Sequence, residues 1–108
     1  MFILNKQNIF ENIPNELKEE LFEDIIKKDG LKIERIVSYG HTTDKFEWYE
    51  QKNDEWVILL QGEAILSFED EPDISLHVGE YINISAMKKH KVSWTRPNEK
   101  TIWLAVHY

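Results

Sequence analysis

The sequence predicts an all-β domain, a sandwich or barrel, preceded by one α-helix. Three observations carry this reading. Short apolar or alternating runs recur from residue 31 to the end. Gly, Pro, Asn and Asp punctuate them, as turns between strands require. Helical spacing is confined to the stretch just before Gly30.

The elements follow in order. Residues 1–13 read as an arm with two apolar patches, Phe2-Ile3-Leu4 and Ile9-Phe10. Asn15 is placed to cap a helix, and Glu16, Glu19 and Glu20 favour its N-terminal end. Leu17, Leu21 and Ile25 fall on one stripe with Phe22 and Ile26 beside it. Lys27 and Lys28 suit the last turn, and Gly30 the residue just past it. Residues 1–30 are thus expected to form an arm and a helix packed on a barrel, and residues 31–108 the barrel itself, in one domain overall. Strands are expected at Leu31–Val37, in the aromatic stretch Phe46–Tyr49, and at Trp56–Leu60, Ala64–Phe68, Ile74–His77, Tyr81–Ile84, Lys91–Thr95 and Thr101–His107. The Trp56–Leu60 run is apolar throughout, as in a strand covered on both faces.

Composition narrows the function. The 108 residues hold four Trp, five Phe and four Tyr, enough bulk for a single core. The net charge of −7 argues against nucleic-acid and membrane-surface partners, because phosphate and anionic lipid repel such a surface. With no Cys, disulfides, thiolate metal sites and Cys nucleophiles are excluded. No apolar run has the length of a signal peptide core or membrane span, so a cytoplasmic location is expected. There is no phosphate-binding loop, dinucleotide fingerprint or nucleophile elbow.

Two spaced patterns carry the chemistry. The first is Tyr49-x-Gln51-x-x-x-Glu55, then six residues, then Gly62. The second is Gly79, five residues, Ser85-x-Met87-x-x-His90, three residues, then Trp94. In spacing the chain resembles the cupin superfamily. The family's first motif runs His-x-His, three or four residues, Glu, six residues, Gly. Its second runs Gly, five residues, Pro-x-Gly-x-x-His, three residues, Asn. Tyr49 and Gln51 stand where that family has His, and Ser85, Met87 and Trp94 where it has Pro, Gly and Asn. The segments "WYEQ", "DEWVILLQG", "HKVSWT" and "WLAVHY" are similar to short single-domain bacterial cupins of the cupin 2 type. The resemblance implies a double-stranded β-helix (jelly-roll) barrel with the N-terminal helix outside it, and a homodimer. It also implies a divalent metal ion (iron, zinc, manganese or nickel) on Gln51, Glu55 and His90, with Tyr49 as a fourth ligand.

The residues themselves leave three readings open. Residues two apart in a strand share a face, so Tyr49 and Gln51 point one way and His90 joins Val92 and Trp94. Glu55 opens an apolar run. A buried carboxylate and imidazole are costly unless paired or bound to a cation. In the first reading Gln51, Glu55 and His90 hold a metal that serves an enzyme acting on a small polar metabolite. In the second, Glu55 and His90 form an acid–base pair in a metal-free binding or sensor pocket, Tyr49 and Gln51 orient a small polar ligand, and Tyr49, Glu55 and His90 are the candidate catalytic groups. In the third, the pair is a polar knot in the core.

Other histidines rank lower. His41 lies in a polar loop and reads as solvated, His77 as exposed beside a turn, and His107, sharing a face with Trp103 and Ala105, as a packed or hydrogen-bonded structural residue. The four Trp read as core or interface, and Glu69–Asp73 as a solvated turn.

Overall fold

The computed structural model describes residues 4–43 and 47–108. Phe2, Ile3 and Phe46, used above, lie outside them. Eight strands form two sheets. These are β1 (Leu21–Lys28), β2 (Leu31–Tyr39), β3 (Glu55–Gln61), β4 (Ala64–Phe68), β5 (Glu71–Leu76), β6 (Tyr81–Ile84), β7 (His90–Thr95) and β8 (Lys100–His107). One sheet has the order β1-β2-β8-β3-β6 and the other β5-β4-β7. Every pairing between them is antiparallel.

The alternation of side chains sets which face looks inward. On β3, Glu55, Val57 and Leu59 are buried while Trp56, Ile58 and Leu60 are half-buried. Register carries that face across the sheet: Val57 pairs with Ala105, which pairs with Glu34, and Leu59 pairs with Trp103, which pairs with Ile36. Leu66, Phe68 and Leu76 of the second sheet join Val57, Leu59, Ile84, Trp103 and Ala105 in one core cluster. Pro72 sits in β5, an edge strand, where its missing N–H costs no ladder bond.

The expected N-terminal helix is not present. Among the described residues there is no α-helix, and the second half of that segment is strand β1, paired with β2 from Leu21↔Val37 to Lys28↔Leu31. The physical reason lies in signals that serve both structures. Gly30, at φ 74°, closes a two-residue Asp29-Gly30 hairpin turn as readily as it ends a helix. Ile25 and Ile26 are β-branched and favour a strand. An isolated helix of this length is marginal, whereas β1 gains a full ladder along β2. A bulge between Asp24 and Ile26 interrupts the register, and Phe22, Ile25 and Ile26 are exposed rather than gathered on one stripe.

The arm is fastened to the outer side of this sheet by Arg35. Its guanidinium donates to the carbonyls of Ile9 at 3.0 Å, Glu11 at 2.7 Å and Asn12 at 3.3 Å, and pairs with the Glu23 carboxylate. The aromatic stretch before β3 joins the second sheet at a single bridge: Tyr49 N–H donates to His90 O at 2.7 Å and His90 N–H to Tyr49 O at 3.0 Å.

Candidate functional site

Between the sheets lies a cavity of about 340 Å³. Ile36, Val57, Leu66, Ile84, Val92 and Trp103 make its apolar wall. Its polar groups are Tyr49, Gln51, Glu55 and His90, together with Glu20, Glu34 and His107, and Phe22 completes the rim.

The structure brings Gln51, Glu55 and His90 together. Glu55 opens β3 and His90 opens β7, on opposite sheets, yet His90 Nε2 lies 3.5 Å from Glu55 Oε1. Both residues are buried. Gln51 Nε2 donates to the same Glu55 oxygen at 2.9 Å. His90 Nδ1 lies 2.8 Å from Lys88 O. A carbonyl only accepts, so Nδ1 carries the hydrogen and Nε2 is the basic nitrogen facing Glu55. Burial of the ring opposes its charge. The Glu55 carboxylate and the Lys88 carbonyl together outweigh that, and His90 titrates above the ordinary imidazole value of 6.5.

A tight turn holds this group. Met87 has φ 67°, a left-handed conformation that favours Gly, at the position where the second motif has Gly. That turn aims Met87 N–H at Gln51 O, 2.7 Å away, and Ala86 N–H at Asp54 Oδ1, 2.8 Å away. It therefore ties the loop bearing Gln51 to the approach of β7. Tyr49 is linked to His90 through the backbone, with ring centroids 6.3 Å apart, and its side chain is 44% exposed, at the cavity's edge.

Sequence reasoning missed a second pair. His107 Nε2 lies 2.8 Å from Glu34 Oε1, and both residues are buried and line the cavity. His107 is also the register partner of Glu55 across β8 and β3, so the two pairs adjoin through neighbouring strands of the first sheet, with His90 reaching in from the second. Burial opposes the charge on Glu34. The hydrogen bond from His107 and the charges of Lys32 and His107 outweigh it and hold Glu34 below the usual carboxylate range. The available signal was weak: Glu34 shares its strand face with Lys32, Ile36 and Ser38, of which only Ile36 is apolar. Glu20, from the segment before β1, is raised by burial, against partial relief from His41.

The remaining histidines have other places. His41 Nδ1 accepts from Tyr39 N–H at 2.8 Å, its Nε2 lies 3.3 Å from Lys18 O, and its carbonyl accepts from Thr95 at 2.7 Å, so it clips loops together outside the cavity. His77 is exposed between Glu63 and Glu80.

The donor set does not suit a divalent metal. Gln51 turns its N–H, not its oxygen, to Glu55. Among the described residues no three His, Asp or Glu side chains are grouped so as to hold an ion. The two-His, one-carboxylate triad of non-haem iron is not assembled, because the two imidazoles here serve separate carboxylates.

No protein-family model matches the chain, and no curated protein matches it. Solved structures do. The chain is similar to a protein from Ralstonia eutropha JMP134, provisionally called a mannose-6-phosphate isomerase, with 34% identity and a TM-score of 0.92 over 96% of this chain and 97% of the other. It is similar in fold to a cupin superfamily protein from Desulfitobacterium hafniense DCB-2, with 21% identity and a TM-score of 0.73 over 88% and 82% of the two chains. An RmlC-like cupin family protein with a double-stranded β-helix fold, from Methanocaldococcus jannaschii, matches at 16% identity and a TM-score of 0.69 over 89% and 85%.

Proposed function

Because the chain belongs to the cupin superfamily and its lumen holds carboxylate–imidazole pairs in place of a metal-binding triad, we propose that it binds a small molecule without a metal and uses Glu55 and His90 as an acid–base pair. The observation that carries this reading is the 3.5 Å approach of His90 Nε2 to Glu55 Oε1 inside a largely apolar cavity. The Lys88 carbonyl fixes the tautomer, so Nε2 is the atom that takes or gives a proton. Glu55 stabilises the imidazolium that results, and Gln51 holds the carboxylate in place. Such a pair moves a proton on a bound ligand, as isomerisation and tautomerisation need. With no proton to move, the same groups orient a polar ligand. Tyr49, at the edge, is the hydrogen-bonding group nearest solvent.

The name of the Ralstonia neighbour points to a phosphorylated sugar as one ligand to test. The cavity argues against it here. A phosphate dianion is held by Arg, Lys or a helix N-terminus. Among the described residues no Lys or Arg lines this cavity and no α-helix is present. The homodimer implied by the resemblance belongs to the same proposal, and sedimentation of the purified chain tests it.

Elemental analysis of protein purified without an affinity tag tests the main claim. We expect no stoichiometric iron, zinc, manganese or nickel. A stoichiometric ion that disappears in both His90→Ala and Glu55→Ala overturns the proposal in favour of a metal centre.

A further inference from the structure

The polar lining of the cavity is one-sided in charge. Three carboxylates, Glu20, Glu34 and Glu55, face two imidazoles, His90 and His107. With all three carboxylates ionised, the lining carries three negative charges when both rings are neutral and still one when both are protonated. Lys32 Nζ lies 3.6 Å from Glu34 Oε2, but its side chain is 37% exposed, and among the described residues no Lys or Arg lines the cavity.

The rest of the wall is apolar, and Phe22, Tyr49 and Trp103 add aromatic surface. Its volume of about 340 Å³ stands at the small end of ligand pockets, which run from about 300 to 1,000 Å³. A largely apolar lining with a surplus of carboxylate oxygens lowers the local dielectric, which strengthens attraction for a cation and penalises an anion. Aromatic faces add to the attraction for an ammonium group.

We propose that this cavity takes a small organic cation, a protonated amine on an apolar body no larger than a substituted benzene ring, and rejects carboxylate and phosphate ligands. The inference rests on the reading of the cavity as a ligand site and names the ligand's class. The ammonium group sits towards Glu20 and Glu34, and the apolar body lies against Ile36, Val92 and Trp103. Burial raises the Glu20 carboxyl, His41 only partly offsets this, and Glu34 adds repulsion. A bound cation relieves both penalties.

Calorimetric titration of the full chain with benzylamine, benzyl alcohol, benzoate and mannose 6-phosphate tests this at constant pH and ionic strength. These first three probes are close in shape and differ in charge. Benzylamine is expected to bind at least tenfold more tightly than benzyl alcohol, with no detectable heat from benzoate or mannose 6-phosphate. Glu20→Gln, at the rim, is expected to narrow the amine-to-alcohol ratio by severalfold, and Glu34→Gln to narrow it further. Because Glu34→Gln disturbs a buried pair, Glu20→Gln alone decides the point if the other variant unfolds. Equal binding of amine and alcohol overturns the charge inference while leaving the ligand site standing. Benzoate or mannose 6-phosphate binding as well as the amine overturns it too. Silence from all four probes sinks both this inference and the reading beneath it.

Discussion

Glu55 sits between two imidazoles: His107 is its register partner across the β3–β8 ladder, and His90 reaches it from the opposite sheet with Nε2 3.5 Å from Oε1. Of the two, His90 is the one whose ionisation Glu55 governs. Burial alone would lower its pKa, and Glu55 with the Lys88 carbonyl turns the balance upward from 6.5. The folded value therefore exceeds the unfolded one. The stabilisation from the charged pair is complete below pH 6.5 and is lost as pH rises through the folded value. In Glu55→Gln the His90 ring is expected to titrate at lower pH than in the unaltered protein. An NMR titration of the imidazole Cε1 proton reads this directly, and an unmoved midpoint would rule out the pairing.

The Glu34–His107 pair has the opposite sign. Burial opposes ionisation of Glu34, and His107 with Lys32 outweighs it, so the folded pKa lies below 4.5. Its stabilisation is present above pH 4.5 and is lost as pH falls through the folded value. His107→Leu removes the hydrogen bond and leaves a buried carboxylate without its main partner. The acid-unfolding midpoint should then move to higher pH, and stability at neutral pH should fall by roughly 1–3 kcal/mol in urea titrations. His107→Gln, which can still donate, should recover part of the loss. Identical acid profiles for the Leu variant and the unaltered chain would show that the pair is not coupled.

How much of this was legible in the sequence depends on how far apart the interacting residues are in the chain. Seven of the strands follow from local alternation and turn residues, and the spacing of Glu55, Gly62, Gly79 and His90 identified the motif loops. Met87 at φ 67° shows that backbone geometry survives where the motif's Gly does not. The β1 segment misled because capping residues, terminal charges and a following Gly favour a helix locally, while the choice was made by pairing with β2. The Glu34–His107 contact was hidden for a related reason. It depends on β8 lying between β2 and β3, a non-sequential strand order that no local pattern specifies. His107 alone, beside Trp103 and Ala105 on one face, carried no sign of its partner.

Arg35 is predicted to hold the N-terminal arm. Its side chain is 9% exposed, and the guanidinium makes hydrogen bonds to three arm carbonyls and pairs with Glu23. Several divergent acceptors need a planar fork, which a single ammonium cannot match. Arg35→Lys is thus expected to behave much as Arg35→Ala does, each lowering stability by roughly 2–3 kcal/mol. Hydrogen exchange should rise in residues 5–12 while β7 and β8 stay protected. Exchange that is unchanged in the arm would show that other contacts hold it.

Two glycines in left-handed turns separate conformational strain from collision. Gly30 has φ 74° with nothing within 4 Å of an added Cβ, whereas Gly62 has φ 89° and an added Cβ would lie 2.8 Å from Thr101 Cα. Gly30→Ala therefore meets only the left-handed penalty, roughly 1 kcal/mol. Gly62→Ala meets that penalty and also pushes on the β8 backbone two strand positions from Trp103 in the cavity wall. Backbone cannot yield as a flexible side chain does, so the loss should exceed about 3 kcal/mol. Paired denaturation curves give the comparison. If the two alanine variants lose the same stability, the close approach of Gly62 to Thr101 does not constrain the β3–β4 turn. The cavity would then owe nothing to that contact.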